Sequence, residues 1–434
     1  MEFLTRIDLE NLLSDFFAGQ SAFLLRYGWI FVVLLFLVIA YKVWMGYIQG
    51  RFMEEMEQVV LAIDVPEDNE KTPKAMEQVV AGFFGIQKDP NIIEKYIQGY
   101  VQPTISLELI SIGGHVQYLI RTPKVFKDLV EAHIYAQYPT AEIREVSDYT
   151  ERIKKEDIPD KYDLWGANLE LIQEDAIPIR TYKEFEEMAA EEKIIDPIAA
   201  ITEVMANIKQ GEEMWFQIII RPTLDTSWKE EGEKIVKEKL GEKVEVAPNL
   251  LQKIVEGTAG ILGTLLRAPF GPPETTSEKG AQEEMLPKAA FLSPGERFVL
   301  EAIQRNISKL GFQTKMRFIY LGEKSVFNKA RVAAFMGAMQ QFSALDLNGF
   351  KPGSSGMGGE KTGADYLLVK WRLKRKQHKI LRRYKQRDFS DKGFVFNTEE
   401  LATVYHFPHI SVKAATISRT KARRGGAPTE LPVV

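Results

Sequence analysis

Apolar residues change their spacing several times along this chain, and each change marks an element. From Tyr27 to Tyr41 no position is charged, and after a single Lys42 the apolar run resumes from Val43 to Ile48. As a helix, the 22 residues from Tyr27 to Ile48 would extend about 33 Å, enough for a hydrocarbon core of about 30 Å. Tyr27, Trp29, Trp44 and Tyr47 lie near its ends, where amphipathic rings favour the headgroup region. A cleaved signal peptide would need a basic start and a small-residue cleavage site; the preceding stretch instead carries Glu2, Asp8, Glu10 and Asp15. Residues 23–50 are therefore expected as a transmembrane anchor. Ahead of it, Leu4, Ile7, Leu9, Leu12, Leu13, Phe16 and Phe17 share roughly one face, so residues 1–22 read as an amphipathic segment lying on the bilayer or on a partner.

Beyond residue 50 the spacing alternates between that of strands and that of helices. Val59–Val65 reads as a strand, Pro73–Phe84 as a helix, Thr104–Ser111 and Val116–Arg121 as strands joined by a Gly113-Gly114 hairpin, Lys124–Gln137 as a helix and Ala141–Val146 as a strand. The order β-α-β-β-α-β over residues 51–150 predicts a ferredoxin-like domain. Residues 151–360 repeat the alternation: strands at Trp165–Ile172, Met214–Arg221 and Gln313–Leu321, and helices at Pro197–Ile208, Glu230–Leu240, Arg297–Leu310 and Asn328–Phe342. The fold class expected is α+β, with two ferredoxin-like-type α/β sandwich regions behind one membrane helix. Residues 241–293 interrupt the second region. Within them Leu250–Leu266 is apolar and Gly-containing, a helix packed on the domain or touching membrane, and Gly271–Lys288 has linker composition.

Charge adds a third region. The chain carries −4 overall, yet residues 361–434 hold 17 Lys and Arg against 6 Asp and Glu, a surplus of 11 that leaves −15 on the rest. A basic, helical C-terminal segment thus follows an acidic body. In Lys370–Arg387, 10 of 18 residues are Lys or Arg. Leu373, Ile380, Leu381 and Tyr384 fall on one helical face, leaving Lys374, Arg375, Lys376, Lys379, Arg382, Arg383 and Arg387 as candidate polyanion- or partner-binding residues. Phosphates of DNA, anionic lipid heads or acidic protein surface would all suit them.

Candidate chemistry is otherwise sparse. The chain has no cysteine, which excludes disulfides and thiol chemistry and fits a body on the cytoplasmic side. The stretch Gly353–Gly363 superficially resembles a phosphate loop, but Glu360 stands directly before Lys361-Thr362, where the Walker arrangement needs Gly so that backbone N–H groups can wrap phosphate. His406 and His409 flank Phe407-Pro408; the proline breaks the helix that would align them, so they are expected to be structural rather than metal ligands. No catalytic residue, cofactor site or metal site is expected.

Several stretches resemble the N-terminal membrane-anchored region of bacterial conjugation-type ATPases, the coupling-protein and FtsK/HerA-like DNA translocases of small-genome lineages. They are Glu70–Gln78, Ile105–Gly114 with Ile134–Pro139, Pro178–Tyr182, Asp196–Ile201, Leu347–Pro352 and Asn397–Pro408. In the longer relatives an ATPase domain follows the position equivalent to Leu431-Pro432. The resemblance implies the platform of a translocation machine without its motor: a non-catalytic scaffold of a type IV secretion-like complex. Membrane lipid, a separate translocase ATPase, DNA and further copies of the chain are its expected partners. The rival expectation is a membrane-tethered nucleic-acid-binding module that uses residues 370–387.

Overall fold

A computed structural model describes residues 2–188, 195–240, 292–354, 361–363, 368–390 and 393–412. One helix, α1, runs unbroken over Glu2–Glu55, so the amphipathic and apolar segments form a single element of 54 residues. Its stretch from Trp29 onward presents apolar side chains to the outside nearly everywhere. Among the described residues it is the one helix long and apolar enough to cross a membrane.

The body opens with β1 (Gln58–Asp64), α2 (Pro73–Phe83), α3 (Ile92–Tyr96), β2 (Ile105–Ile112), β3 (His115–Pro123), α4 (Lys127–Gln137) and β4 (Glu142–Val146). The β2–β3 hairpin turns on Gly113 and Gly114, both at positive φ (58° and 93°), where a Cβ would be strained. There follow β5 (Tyr162–Leu171), α5 (Tyr182–Met188), α6 (Ala199–Ala206), β6 (Glu212–Pro222), α7 (Ser227–Leu240), α8 (Pro294–Ile307), β7 (Gly311–Glu323), α9 (Ala330–Met339) and β8 (Phe350–Pro352). Helix α8 starts where the sequence supplies a capping box: the Ser293 hydroxyl accepts from Glu296 N–H, Glu296 reaches back to Ser293 N–H, and Pro294 occupies the first turn. The chain then forms α10 (Val369–Lys385), β9 (Phe394–Asn397) and α11 (Thr398–Val404). Leu250–Leu266 and Gly271–Lys288 lie outside the described residues.

All described strands join one antiparallel sheet in the order β4-β1-β3-β2-β6-β7-β5-β8, with β9 pairing the start of β7. The two halves expected as sandwiches in tandem are thus continuous through β2 and β6, which pair from Ile105 opposite Ile220 to Ile112 opposite Glu213. The described part of the basic C-terminal stretch, up to residue 412, packs on the body. Helix α10 lies on one face of the sheet, β9 extends the sheet, and α11 packs against α2 on the other face.

Strand alternation then sorts the side chains. On the first face Leu61, Leu107, Tyr118, Phe216, Met316 and Phe318 meet Phe83, Val130, Ile134, Met205, Phe335 and Leu401 from the helices α2, α4, α6, α9 and α11. Phe318 and Phe335 stack there with centroids 3.7 Å apart. On the second face Val60, Leu119, Trp215, Ile319 and Leu321 meet Ile380, Leu381 and Tyr384 of α10 and Tyr149, Ile153 and Ile158 of the β4–β5 connection. Gly166 on β5 permits the approach of α10, because a Cβ there would come within 2.8 Å of Ile380 Cγ2. Trp215 and Tyr384 are in ring contact beneath the helix, 5.5 Å between centroids.

Candidate functional site

The second face carries something the first lacks. Glu108 of β2, Gln217 of β6, Arg317 of β7 and Asn168 of β5 stand directly opposite one another in the strand register, so four polar side chains cross the middle of the sheet in one row. All four are buried, and groups so removed from water must be satisfied within the protein. Gln217 Nε2 donates to Glu108 Oε1 at 3.0 Å, Arg317 Nη1 to Gln217 Oε1 at 3.4 Å, and Arg317 Nε to Asn168 Oδ1 at 3.2 Å. What remains is satisfied by α10 and the residues after it. Gln217 Nε2 also donates to the Tyr384 carbonyl, and Arg317 to the carbonyls of Arg383 and Asp388.

Arg387 closes the row. Its Nε and Nη2 reach the two oxygens of Glu108 at 2.9 and 3.1 Å, and it also pairs with Asp148. Ser106 and Tyr149 donate to the same Glu108 carboxylate at 2.6 and 2.8 Å. Burial by itself raises the Glu108 carboxyl, but the Arg387 guanidinium and these hydrogen bonds bring it below the usual carboxylate range. Burial likewise opposes the charge on Arg387, which Glu108 and Asp148 hold above its ordinary value. The backbone cooperates. Arg387 N–H donates to the Tyr384 carbonyl and Asp388 N–H to the Arg383 carbonyl, the paired bonds that end a helix at a left-handed residue. That residue is Arg387 at φ 48°, where glycine is usual. The guanidinium's ion pairs, not conformational ease, account for arginine there.

The seven candidate cations of α10 are therefore not equivalent. Arg387 and Lys376 are buried: the first is committed to Glu108 and Asp148, and the second donates to the Gly363 carbonyl at 2.5 Å. This corrects the expectation that both lie off the apolar face: neither meets an external polyanion, and Arg387 pairs instead with the acidic body of its own chain, which the charge distribution left open as an alternative. Helical spacing could not separate them, because Arg387 sits beyond the last helical turn and Lys376 faces the return of residues 361–363. Arg383 is mostly covered and faces Asp388, and Lys379 is half-buried. Lys374, Arg375 and Arg382 remain on the outer face, Lys374 one turn after Lys370 and Arg382 two turns after Lys374 and Arg375. Among the described residues none of these four is in a salt bridge, and Arg375 stacks over the exposed Trp371 ring at 4.6 Å.

The other candidates resolve differently. His406 presents Nε2 to Asp196 Oδ1 at 2.7 Å and Nδ1 to the Ala402 carbonyl at 2.8 Å, leaving neither nitrogen for a metal, while His409 N–H donates to Asp196 Oδ2. Among the described residues no three His, Asp or Glu side chains cluster as metal ligands. Glu360 lies outside the described residues; next to it Lys361 bridges Ala167 and Thr362 N–H donates to the Gly166 carbonyl, so the end of the glycine-rich stretch lies along β5. A second charged cluster, not anticipated, fastens the helical face: Lys309 Nζ donates to Glu77 of α2 and to Glu399 of α11 at 2.5 and 2.6 Å, and Lys183 joins Glu399 at 2.7 Å.

Residues 50–420 match the profile of a protein family described as a domain of unknown function, DUF8128, and the chain belongs to that family. No curated protein matches it.

Proposed function

We propose that this protein is a membrane-anchored, non-catalytic scaffold of a type IV secretion-like or DNA-translocating complex, and that it positions a separately encoded ATPase. The observation that carries the reading is the division of labour within α10. Its Arg383 and Tyr384 carbonyls accept from the polar row, and Ile380, Leu381 and Tyr384 pack on the sheet, so its outer cations Lys374, Arg375 and Arg382 are held at fixed spacing on a helix that cannot turn. Preformed charge of this kind favours docking of a complementary acidic surface at little cost in ordering. Helix α1 supplies a single-pass anchor in the cell membrane, with the body on the cytoplasmic side. We further infer that each half of the sheet is a ferredoxin-like unit. The first half runs β-α-β-β-α-β along the chain, the second has the same strand sequence with α7 and α8 inserted between its second and third strands, and in both the strands lie in the order fourth, first, third, second, meeting through their second strands. The motor and the secretion machinery come from the sequence resemblance.

A second reading, a membrane-tethered nucleic-acid-binding module, is favoured by one observation: Trp371 is exposed beside Arg375 and Lys374, as stacking platforms for single strands are. One variant separates the two. Lys374→Glu/Arg375→Glu/Arg382→Glu in the full chain, held in nanodiscs, is expected to leave the negligible affinity for a random-sequence DNA duplex or single strand unchanged. A photo-crosslinker at Lys370 is expected to capture an ATPase with a Walker A motif in cells, and to lose it in the triple variant. Tight, salt-sensitive DNA binding that disappears on charge reversal would make the tether the better account. Extraction of the intact chain from membranes by high salt or alkali would remove the anchor.

A further inference from the structure

Helix α3 is built to hold apolar side chains away from the core. Only five residues long, it is kept helical by a capping box, with Glu94 N–H donating to Asn91 Oδ1 at 2.8 Å and Asn91 N–H to Glu94 Oε2 at 3.0 Å, and by the Lys88–Glu94 pair at 2.6 Å. None of its residues is buried. Ile92, Ile93 and Ile97 are 77%, 57% and 65% exposed, and Tyr96 is 40% exposed. Four large apolar side chains within six positions form a patch that a water-facing loop would not retain.

Its position is fixed. The Trp44 indole donates from Nε1 to the Tyr96 carbonyl at 3.3 Å, and the Phe52 and Tyr100 rings lie 5.3 Å apart. Gly99, at φ 70°, lies so close to α1 that a Cβ would come within 2.5 Å of the Ile48 carbonyl carbon. Ile48 is buried here, although Trp44, Tyr47 and Arg51 beside it on α1 are exposed. The patch is therefore continuous with the exposed apolar surface of α1 and level with Trp44 to Phe52, where the apolar run of α1 gives way to charged residues. Lys88 and Lys95 flank it, each with its ammonium over a tyrosine ring, Tyr100 and Tyr96.

We propose that residues 92–97 are a second membrane contact, a wedge that enters the boundary between headgroups and acyl chains beside the anchor. Ile92, Ile93 and Ile97 sit among the outer methylenes, and Trp44 and Tyr96 lie at headgroup depth. Lys88 and Lys95 face anionic heads. This inference rests on the reading of α1 as a spanning helix. Its consequence is that the body is clamped at two points and cannot swivel freely about a single tether.

The absence of cysteine makes single-site labelling of the full chain clean. Ile93→Cys, Ile97→Cys, Phe36→Cys and Glu67→Cys, each carrying a nitrobenzoxadiazole dye, are reconstituted into vesicles of phosphatidylcholine and phosphatidylglycerol containing nitroxide lipids. The Ile93 and Ile97 labels are expected to be blue-shifted and quenched several-fold more by a shallow than by a deep nitroxide, the Phe36 label to show the reverse, and the Glu67 label to respond to neither. Quenching at Phe36 with water-like emission at both isoleucine sites overturns the wedge and leaves the anchor standing. Blue-shifted isoleucine labels that no nitroxide quenches mean that protein covers the patch, and overturn it too. Absence of quenching at Phe36 removes the anchor and the wedge together.

Discussion

The two faces of the sheet are covered by different means. On one, stacked aromatic and aliphatic side chains of the sheet meet several helices through contacts that need mainly shape and volume, with ion pairs only between the helices and loops that cover it. On the other, a basic helix and the β4–β5 connection lie over a row of Glu, Gln, Arg and Asn, and the contacts to that row need particular atoms opposite one another. Apolar burial is non-directional and tolerates repacking, whereas a half-satisfied polar row is worse than none. The comparison teaches why α10 can be so basic and still belong to the core: the fold uses several of its donors, while Lys374, Arg375 and Arg382 stay exposed on the outer face.

Arg387→Met should break the comparison most sharply. It strands the Glu108 carboxylate under α10, at a cost of about 3–5 kcal/mol, read as a fall in the urea midpoint. Glu108→Leu/Arg387→Met should recover most of that loss; a double variant no better than the single would mean that the row itself stabilises the fold. The pH dependence has a definite sign. Because the folded carboxyl of Glu108 lies below its ordinary value, its contribution is present above the unfolded value and is lost as pH falls through the folded one.

On the opposite face, Phe335→Ala removes a ring stacked on Phe318 and should cost about 3–5 kcal/mol, with no pH dependence between mildly acid and alkaline solution. A marked pH dependence of that loss would erase the distinction between the faces. In α11 on the same side of the sheet, Glu400 offers a titration of opposite sign. Burial raises its carboxyl to about 8, although it accepts N–H bonds from Asn397 and Ile179. The folded state holds its proton more tightly than the unfolded one, so stability should decline as pH rises from about 4.3 to about 8. Glu400→Gln keeps the accepting carbonyl and should flatten that decline; an unchanged slope would place the titration elsewhere.

The smallest effect belongs to the outer face of α10. Lys374→Glu and Arg382→Glu should each shift stability by no more than about 0.5 kcal/mol, since no salt bridge to either is broken. A larger loss in thermal melts would mean that these cations, like Arg387, serve the fold.

Much of this architecture is legible from residue spacing, and the remainder is hidden for physical reasons. The long strands announce themselves as apolar runs, and Gly113-Gly114 between two of them could hardly be other than a hairpin. Strands β8 and β9, of three and four residues, carry too little periodicity, and each pairs with residues far away in the chain. Glu108, Gln217 and Arg317 each interrupt an apolar run, between Leu107 and Leu109, Phe216 and Ile218, and Met316 and Phe318. A lone polar residue among such neighbours signals one face of a strand, but only the strand register brings the three together. For α10 the charge count was visible and its allocation was not. Nothing local marks Arg387 as left-handed or tells its guanidinium from that of Arg382.

The pairing of β2 with β6 also bears on crowding. Each half would otherwise present a long strand with unpaired N–H and C=O groups, a template for lateral association with the next molecule. Chains confined to a bilayer meet their neighbours side by side far more often than chains in solution. With those two margins paired to each other, the margins among the described strands are β4, where Glu142, Arg144 and Glu145 are charged, the brief β8 and β9, and the start of β5. At β9 the Val395 N–H is taken up by the Asp175 carboxylate at 3.0 Å. A body closed in this way can stand at high density on a surface without zipping into ribbons, which any ordered array on a membrane would require.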